Sequence, residues 1–175
     1  YKDQSKMVVV DGVYSMEGDL TDLPEVVNLS KFYNARLIVD DAHGIGVMGS
    51  TGRGTVEHFG LEGEADLLMI SFAKSFGGIG GAVAGESRVI DWIQHASRPQ
   101  MFSTAMPPGM AAGLIAAIDV METEPELRER LWRNRNHLVK SLRNLGYDTG
   151  QSSSHIIPII IGKESLMLDL VKMLN

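Results

Sequence analysis

Short, uninterrupted apolar runs recur along the chain: MVVV at 7–10, LIV at 37–39, LLMISF at 67–72, AVA at 82–84 and IIPIII at 156–161. Continuous apolar strands of this kind suit a sheet covered on both faces rather than one with a wet side. The segment between the first two runs supplies a covering helix. In TDLPEVVNLSKFYNA, Asp22 and Glu25 stand at capping-box spacing, and Leu23, Val26, Val27 and Leu29 share a helical face. Strand, helix and strand in that order make a βαβ unit, so the expected class is α/β with a mostly parallel sheet between helices.

After Pro108 the pattern changes to a long helical region, bent near Pro125, with Leu127, Leu131, Leu138, Leu142 and Leu145 at helical spacing and Gly146 as its C-cap. The leucine stripe reads as a packing face. A strand over 156–161 and the start of another apolar helix, SLMLDLVKMLN, are expected to follow, as the opening of a second unit. Composition narrows the function. With 16 basic and 22 acidic side chains the net charge is −6, which disfavours a nonspecific grip on nucleic acid. The absence of cysteine removes disulfides, thiolate metal sites and cysteine nucleophiles. No basic-then-apolar leader and no membrane-spanning run is seen, so a cytoplasmic protein is expected.

Ligands of open α/β sheets sit outside the carboxyl ends of the strands, and these ends are chemically loaded. DGVYSMEGD follows the first run, DDAHGIGVMG the second, and SFAKSFGG begins in the third. Lys74 is the only charged residue between Asp66 and Glu86. An ammonium group in an apolar setting is costly unless it is paired or deprotonated. Residues 44–49 satisfy G-x-G-x-x-G, but STGRGTVEHFG does not open an apolar helix after them, which argues against a dinucleotide site. Lys74-Ser75 lacks the glycine of a P-loop, and no G-x-S-x-G elbow is present. Asp40, Asp41, His43 and His58 match no standard ligand spacing, so no metal is expected. Pyridoxal phosphate accounts for the set. It needs a lysine for a Schiff base, an acid to keep its ring nitrogen protonated, and hydroxyl or backbone donors for its phosphate. Lys74, Asp40 and the neighbourhood of Ser71 and Ser75 supply those types, and burial of Lys74 would lower its pKa and make it a base as well as a nucleophile.

Four segments in order, VVVDGVYSMEGDLTDLPEVV, LIVDDAHGIGVMGSTGRG, SFAKSFGGIGGAVAG and RPQMFSTAMPP, resemble the α-oxoamine synthases, a family of pyridoxal-phosphate-dependent acyltransferases. The likeness covers nearly the whole chain. It implies a fold-type I transferase in which residues 1–125 are the C-terminal part of the large cofactor-binding domain, and residues 126–175 are a connecting helix and the start of a small C-terminal α+β domain. It implies that Lys74 carries the cofactor as a Schiff base, that Asp40 pairs with the pyridinium nitrogen, and that His43 hydrogen-bonds the ring oxygen. Ser15 would line the site, and Ser71 would hold the phosphate where relatives usually have threonine. Ser103 and Thr104 match a segment that reaches the cofactor phosphate of a neighbouring subunit, so a homodimer is implied. Asp41 and Arg53 read as structural, and His58, His95, His137 and His155 as surface or packing residues.

The same resemblance implies a decarboxylative condensation of an amino acid with an acyl thioester, carried by coenzyme A or a carrier protein, to give an α-amino ketone. VYSMEGD and FSTAMPP are more similar to the oxononanoate and palmitoyl branches than to the acetyl one. An aminotransferase or lyase of the same fold, a non-catalytic binding subunit and a dinucleotide-dependent oxidoreductase are the alternatives. Family chains are much longer; an upstream segment supplies a histidine that stacks on the cofactor and a downstream one an arginine for the substrate carboxylate. This chain is therefore expected to be a fragment, inactive by itself. Ala73 also lacks a hydroxyl that some relatives have beside the lysine.

Overall fold

A computed structural model describes residues 4–174. Strands β1 (Lys6–Asp11), β2 (Ala35–Asp40), β3 (Leu67–Ser71) and β4 (Gly81–Gly85) form one sheet in the order β1-β2-β3-β4. The first three run parallel and β4 returns antiparallel beside β3. Asp11 pairs with Asp40, and Asp40 with Met69, so the carboxyl ends of the parallel strands stand level.

The helix expected between the first strands is α1 (Leu23–Phe32), and its start follows the sequence. Asp22 is the N-cap, its Oδ1 accepting the Glu25 N–H at 3.3 Å, and Pro24 fills a first-turn position where no helical N–H partner is needed. Leu23 and Val27 then pack with Leu37, Val39 and Val56 into the principal core. The start of β3 is fixed on β2 by Asp66, whose carboxylate accepts from Leu37 N–H and Arg36, each at 2.8 Å, while its own N–H donates to the Leu37 carbonyl. Short α2 (Thr55–His58) closes the long β2–β3 connection.

Beyond β4 come α3 (Ser87–Ala96), α4 (Arg98–Met101), α5 (Pro108–Thr123), α6 (Pro125–Asn144) and α7 (Glu164–Leu174). The bend expected near Pro125 is a complete break. Glu124 ends α5 by donating to the Val120 carbonyl, and Pro125 begins a new helix. Gly146, at φ +86°, ends α6 in the left-handed conformation that glycine adopts most easily. Helix α6 is anchored on the loop after β2: Trp132 Nε1–H donates to the Val47 carbonyl at 3.1 Å and Arg128 to the Ser50 carbonyl at 2.5 Å. No helix among the described residues is long and apolar enough to cross a membrane.

Three expectations are corrected. The sheet is not covered on both faces among the described residues: along β1, Val8 and Val10 pack against the core while Met7 and Val9 are 63% and 62% exposed. Residues 156–161 form no strand. Pro158 has no N–H to donate, and the segment makes a single backbone bond to a distant partner, Ile160 N–H to the Asp148 carbonyl. The leucine stripe of α6 is only partly covered. Leu127 and Leu131 line an apolar cavity of about 250 Å³ with Phe76 and Met121, whereas Leu145 is exposed and Val139 is the buried residue of the helix.

Candidate active site

Two aspartates end β2, and the backbone sends them to different places. Asp41 is fully buried: its Oδ2 accepts the Thr55 N–H at 2.7 Å and its Oδ1 the Thr55 hydroxyl at 2.9 Å. Burial raises its pKa, against the lowering effect of the Thr55 bonds and with a further push from neighbouring Asp40. Gly12, Gly44 and Gly54 come so close that a Cβ on any of them would strike this carboxylate or Thr55. Asp41 is thus a structural peg. Asp40, at the strand's end, is half-buried, and among the described residues its carboxylate accepts only from Ala42 N–H, at 3.0 Å, a turn that brings His43 onto the same rim.

The glycine pattern at 44–49 serves close packing. Gly44 abuts Asp41, Gly46 approaches the Ser75 hydroxyl so that a Cβ would lie 2.7 Å from it, and Gly49 abuts the Glu57 carboxylate. Residues 44–49 are turns and bends, and the stretch after Gly49 holds only the four-residue α2, which starts at Thr55.

Lys74 lies just past the end of β3, on a loop closed by Gly78 N–H to the Phe72 carbonyl (2.7 Å) and Gly77 N–H to the Lys74 carbonyl (3.0 Å). The expected burial of Lys74 is not found. The strand ends at Ser71 and the loop carries the lysine outward, so its side chain is exposed. Ser75 ties this loop to the other, its hydroxyl donating to the Ile45 carbonyl at 2.7 Å. Together the loops enclose a cavity of about 220 Å³ where Lys74, His43, Ser75 and His155 stand over Ala42, Ile45 and Val47. Burial lowers the pKa of His43, Lys74 lowers it further, and Asp11 and Asp40 oppose them. His43 thus stands among Lys74, Asp11 and Asp40 with the balance favouring its neutral form.

Two members of this neighbourhood were not singled out from the sequence. Asp11 terminates β1 level with Asp40 and acts on His43; its signal was its place directly after an apolar strand. His155, read as a surface or packing residue, lines the cavity, and only the long-range fold brings it there. Of the other expected residues, Ser71 sits at the end of β3 with its Oγ accepting from Ala73 N–H at 3.3 Å. Ser15 is exposed in the turn after β1. Ser103 and Thr104 are exposed after α4, and Ser103 donates to the Gln100 carbonyl at 2.9 Å; neither lines the cavity. Among the described residues no cluster of histidines and acids could hold a metal ion.

Residues 1–175 match the family model described as aminotransferase class I and II. The chain belongs to this aminotransferase family. An 8-amino-7-oxononanoate synthase of Thermoanaerobacter pseudethanolicus is 44% identical over 164 residues, covering 94% of this chain and 42% of the relative. A serine palmitoyltransferase of Sphingobacterium spiritivorum is 44% identical over 173 residues, covering 99% and 43%. A solved structure of serine palmitoyltransferase, with pyridoxal phosphate as its internal aldimine, superposes with a TM-score of 0.89 at 36% identity over 94% of this chain and 42% of that one. The chain therefore spans less than half the length of these relatives. The mixed sheet with its helices is the fold-type I architecture of those class I and II enzymes.

Proposed function

We propose that the intact protein is a pyridoxal-phosphate-dependent α-oxoamine synthase that condenses an amino acid with an acyl thioester, releasing carbon dioxide and thiol and leaving an α-amino ketone. The observation that carries this reading is the meeting of Asp40, His43 and Lys74 on the carboxyl edge of a parallel sheet. The relatives named above support it: one is named an 8-amino-7-oxononanoate synthase and the other a serine palmitoyltransferase, the two branches that the sequence segments resemble.

The donor set suits the cofactor. Lys74 offers an accessible amine, Asp40 a carboxylate with one hydrogen bond, His43 an imidazole of lowered pKa beside the lysine, and His155 a buried ring nitrogen with no partner among the described residues. When bound, pyridoxal phosphate supplies an electron sink for a carbanion next to its ring. Lys74 would hold the cofactor, and its Nζ, when free, would accept the substrate's α-proton and later return one. The Asp40 carboxylate would keep a proton on the ring nitrogen by charge pairing. His43 would orient the ring by a hydrogen bond to its phenolic oxygen, and Ser15 and Ser71 would contribute hydroxyls to the site. Over the reaction the Cα–H bond breaks, a carbon–carbon bond forms to the acyl carbonyl, the carbon–sulfur bond breaks and the thiol leaves. The carboxylate then departs as carbon dioxide, and Cα takes a proton.

Ser103 and Thr104, exposed and outside the cavity, serve the site of a second copy in a homodimer. Residues 1–125 belong to the cofactor-binding domain and 126–175 open the small one, with the break at Pro125 as their joint. The test is an absorbance spectrum of the full-length protein with pyridoxal phosphate, before and after borohydride, beside Lys74→Ala. A visible band that borohydride fixes onto Lys74, and carbon dioxide and free thiol released from an amino acid and palmitoyl-coenzyme A, are expected. A folded protein without the band overturns the reading, and a band with amino transfer but no carbon dioxide moves it to an aminotransferase.

A further inference from the structure

Lys74 is exposed, and among the described residues its amine makes no ion pair or hydrogen bond. The place of that amine is therefore set through the backbone of its loop. The loop is closed on itself. Phe72 N–H donates to the Gly80 carbonyl at 2.9 Å, Gly78 N–H to the Phe72 carbonyl at 2.7 Å and Gly77 N–H to the Lys74 carbonyl at 3.0 Å, while the Phe72 and Phe76 rings meet edge to face at 5.9 Å. A segment bonded within itself in this way shifts as a unit, so what holds it to its surroundings decides where the lysine stands.

The loop facing it is fixed to the sheet. Asp41 N–H donates to the Met69 carbonyl at 2.8 Å, and the Asp41 carbonyl accepts from Gly44 and Ile45 N–H at 3.0 Å each, which holds the turn bearing His43 beside β3. Between residues 72–80 and residues 42–54 the described residues make one hydrogen bond, from the Ser75 hydroxyl to the Ile45 carbonyl at 2.7 Å. The two loops touch closely there: a Cβ on Gly46 would lie 2.7 Å from the Ser75 Oγ and 2.8 Å from the Ser75 Cβ. Ser75 directly follows Lys74, and Ile45 stands two residues after His43, so this bond spans the cavity between the lysine and the imidazole at its closest backbone approach.

We propose that Ser75 is a positioning residue, whose hydrogen bond to Ile45 holds the Lys74 amine beside His43 for proton transfer. Its hydroxyl acts on the lysine through the backbone, as the supporting contacts of a working site do. The consequence for turnover rests on the function proposed above; the geometry of the tether does not.

The test uses the full-length protein as wild type, Ser75→Ala and Lys74→Ala. First, the cofactor-free forms labelled with ¹⁵N-histidine are titrated by NMR, and the His43 ring is followed. Burial and Lys74 lower its pKa, Asp11 and Asp40 raise it, and His155 lies across the cavity. Releasing the lysine loop weakens the two lowering effects, so the His43 midpoint should move up in Ser75→Ala, in the same direction as in Lys74→Ala. Second, with pyridoxal phosphate bound, Ser75→Ala should lose kcat by about 10-fold or more, the consequence of a slightly misplaced reacting group, while KM for the amino acid and the urea midpoint stay close to wild type. A His43 midpoint that does not move in Ser75→Ala overturns the inference, and so does an unchanged kcat. Weaker binding of pyridoxal phosphate with an unmoved His43 midpoint also overturns it, by making the hydroxyl a phosphate ligand instead. The titration needs no cofactor, so the two readings fail separately: no visible band in wild-type protein sinks the proposed function, whereas an unmoved midpoint beside a normal band sinks this inference alone.

Discussion

Asp40 and Asp41 are chemically identical neighbours with opposite surroundings, and their substitutions should fail in opposite ways. Asp41 has both carboxylate oxygens occupied by Thr55, so Asp41→Asn turns an amide N–H toward one of two donors in a fully buried site. A loss of about 1–3 kcal/mol is expected from the unmade hydrogen bond, read as a lower urea midpoint. Asp40→Asn should leave that midpoint in place and reduce turnover of the full-length protein by at least about 100-fold, the scale of removing one preorganised electrostatic partner. Equal turnover in wild type and Asp40→Asn would end the assignment of Asp40 to the site. The glycines beside Asp41 allow a cleaner comparison. Gly54 and Gly60 both have positive φ, at +93° and +66°, so alanine is strained at either. Only at Gly54 does the added Cβ meet the Asp41 carboxylate, while at Gly60 it meets nothing within 4 Å. Gly54→Ala should therefore lower the midpoint well beyond Gly60→Ala, and matching losses would show that backbone strain alone governs both.

At the scale of elements, the strands β1 to β4 and the capped helix α1 could be read from the chain because local signals decide them: apolar runs, an N-cap aspartate and a proline in the first turn. The segment 156–161 has the same apolar signal and forms no strand, since pairing depends on a neighbour that local sequence does not describe. Lys74 was legible as chemistry and not as environment. The apolar residues around it suggested burial, whereas the strand ends at Ser71 and hydrogen bonds from Gly77 and Gly78 to Lys74 and Phe72 fold the rest into an exposed loop. His155 lay beyond sequence reasoning because Arg135 and Gly18, distant in the chain, place its loop. Helix α2 shows how one residue can organise a loop. Glu57 accepts from the Ser50 hydroxyl at 2.8 Å and from Thr51 N–H, the Thr51 hydroxyl and Arg53 N–H at 2.9 Å each. Burial alone would raise its pKa, but these bonds outweigh it and bring the group from 4.5 down to about 2. A depressed folded-state pKa gives stability that is fully present above pH 4.5 and is lost as pH falls toward about 2. Urea midpoints measured across that window should fall on acidification, and less steeply in Glu57→Gln; parallel slopes would mean that the loop's hydrogen bonds carry no linkage.

For the molecule as a whole, the two ends of the chain do different work at the site. The strand ends deliver Asp11, Asp40, His43 and Lys74, while α6 and the loop after it return to the same rim through Trp132, Arg128 and Arg135, so the cavity depends on residues more than a hundred positions apart. The opposite side of the sheet has no such cover among the described residues. Met7, Val9, Val83 and Trp92 are exposed, and Met7 and Trp92 line a groove of about 820 Å³ with the ionic pair Arg36 and Asp66 at its edge. Contiguous apolar surface on a water-facing sheet promotes association. Since the relatives are more than twice as long as this chain, the face is a natural seat for their additional segments. Residues 1–175 produced alone should bind an apolar dye strongly and sediment as oligomers at micromolar concentration. The double substitution Met7→Gln, Trp92→Gln should reduce both effects in the isolated chain. In the full-length protein the wild-type face should bind little dye, and the same pair of substitutions should lower the melting temperature, because a covered apolar contact is then lost. Equal dye binding by the two forms would mean that this face meets water in the intact protein, and the sheet would be one-sided by design.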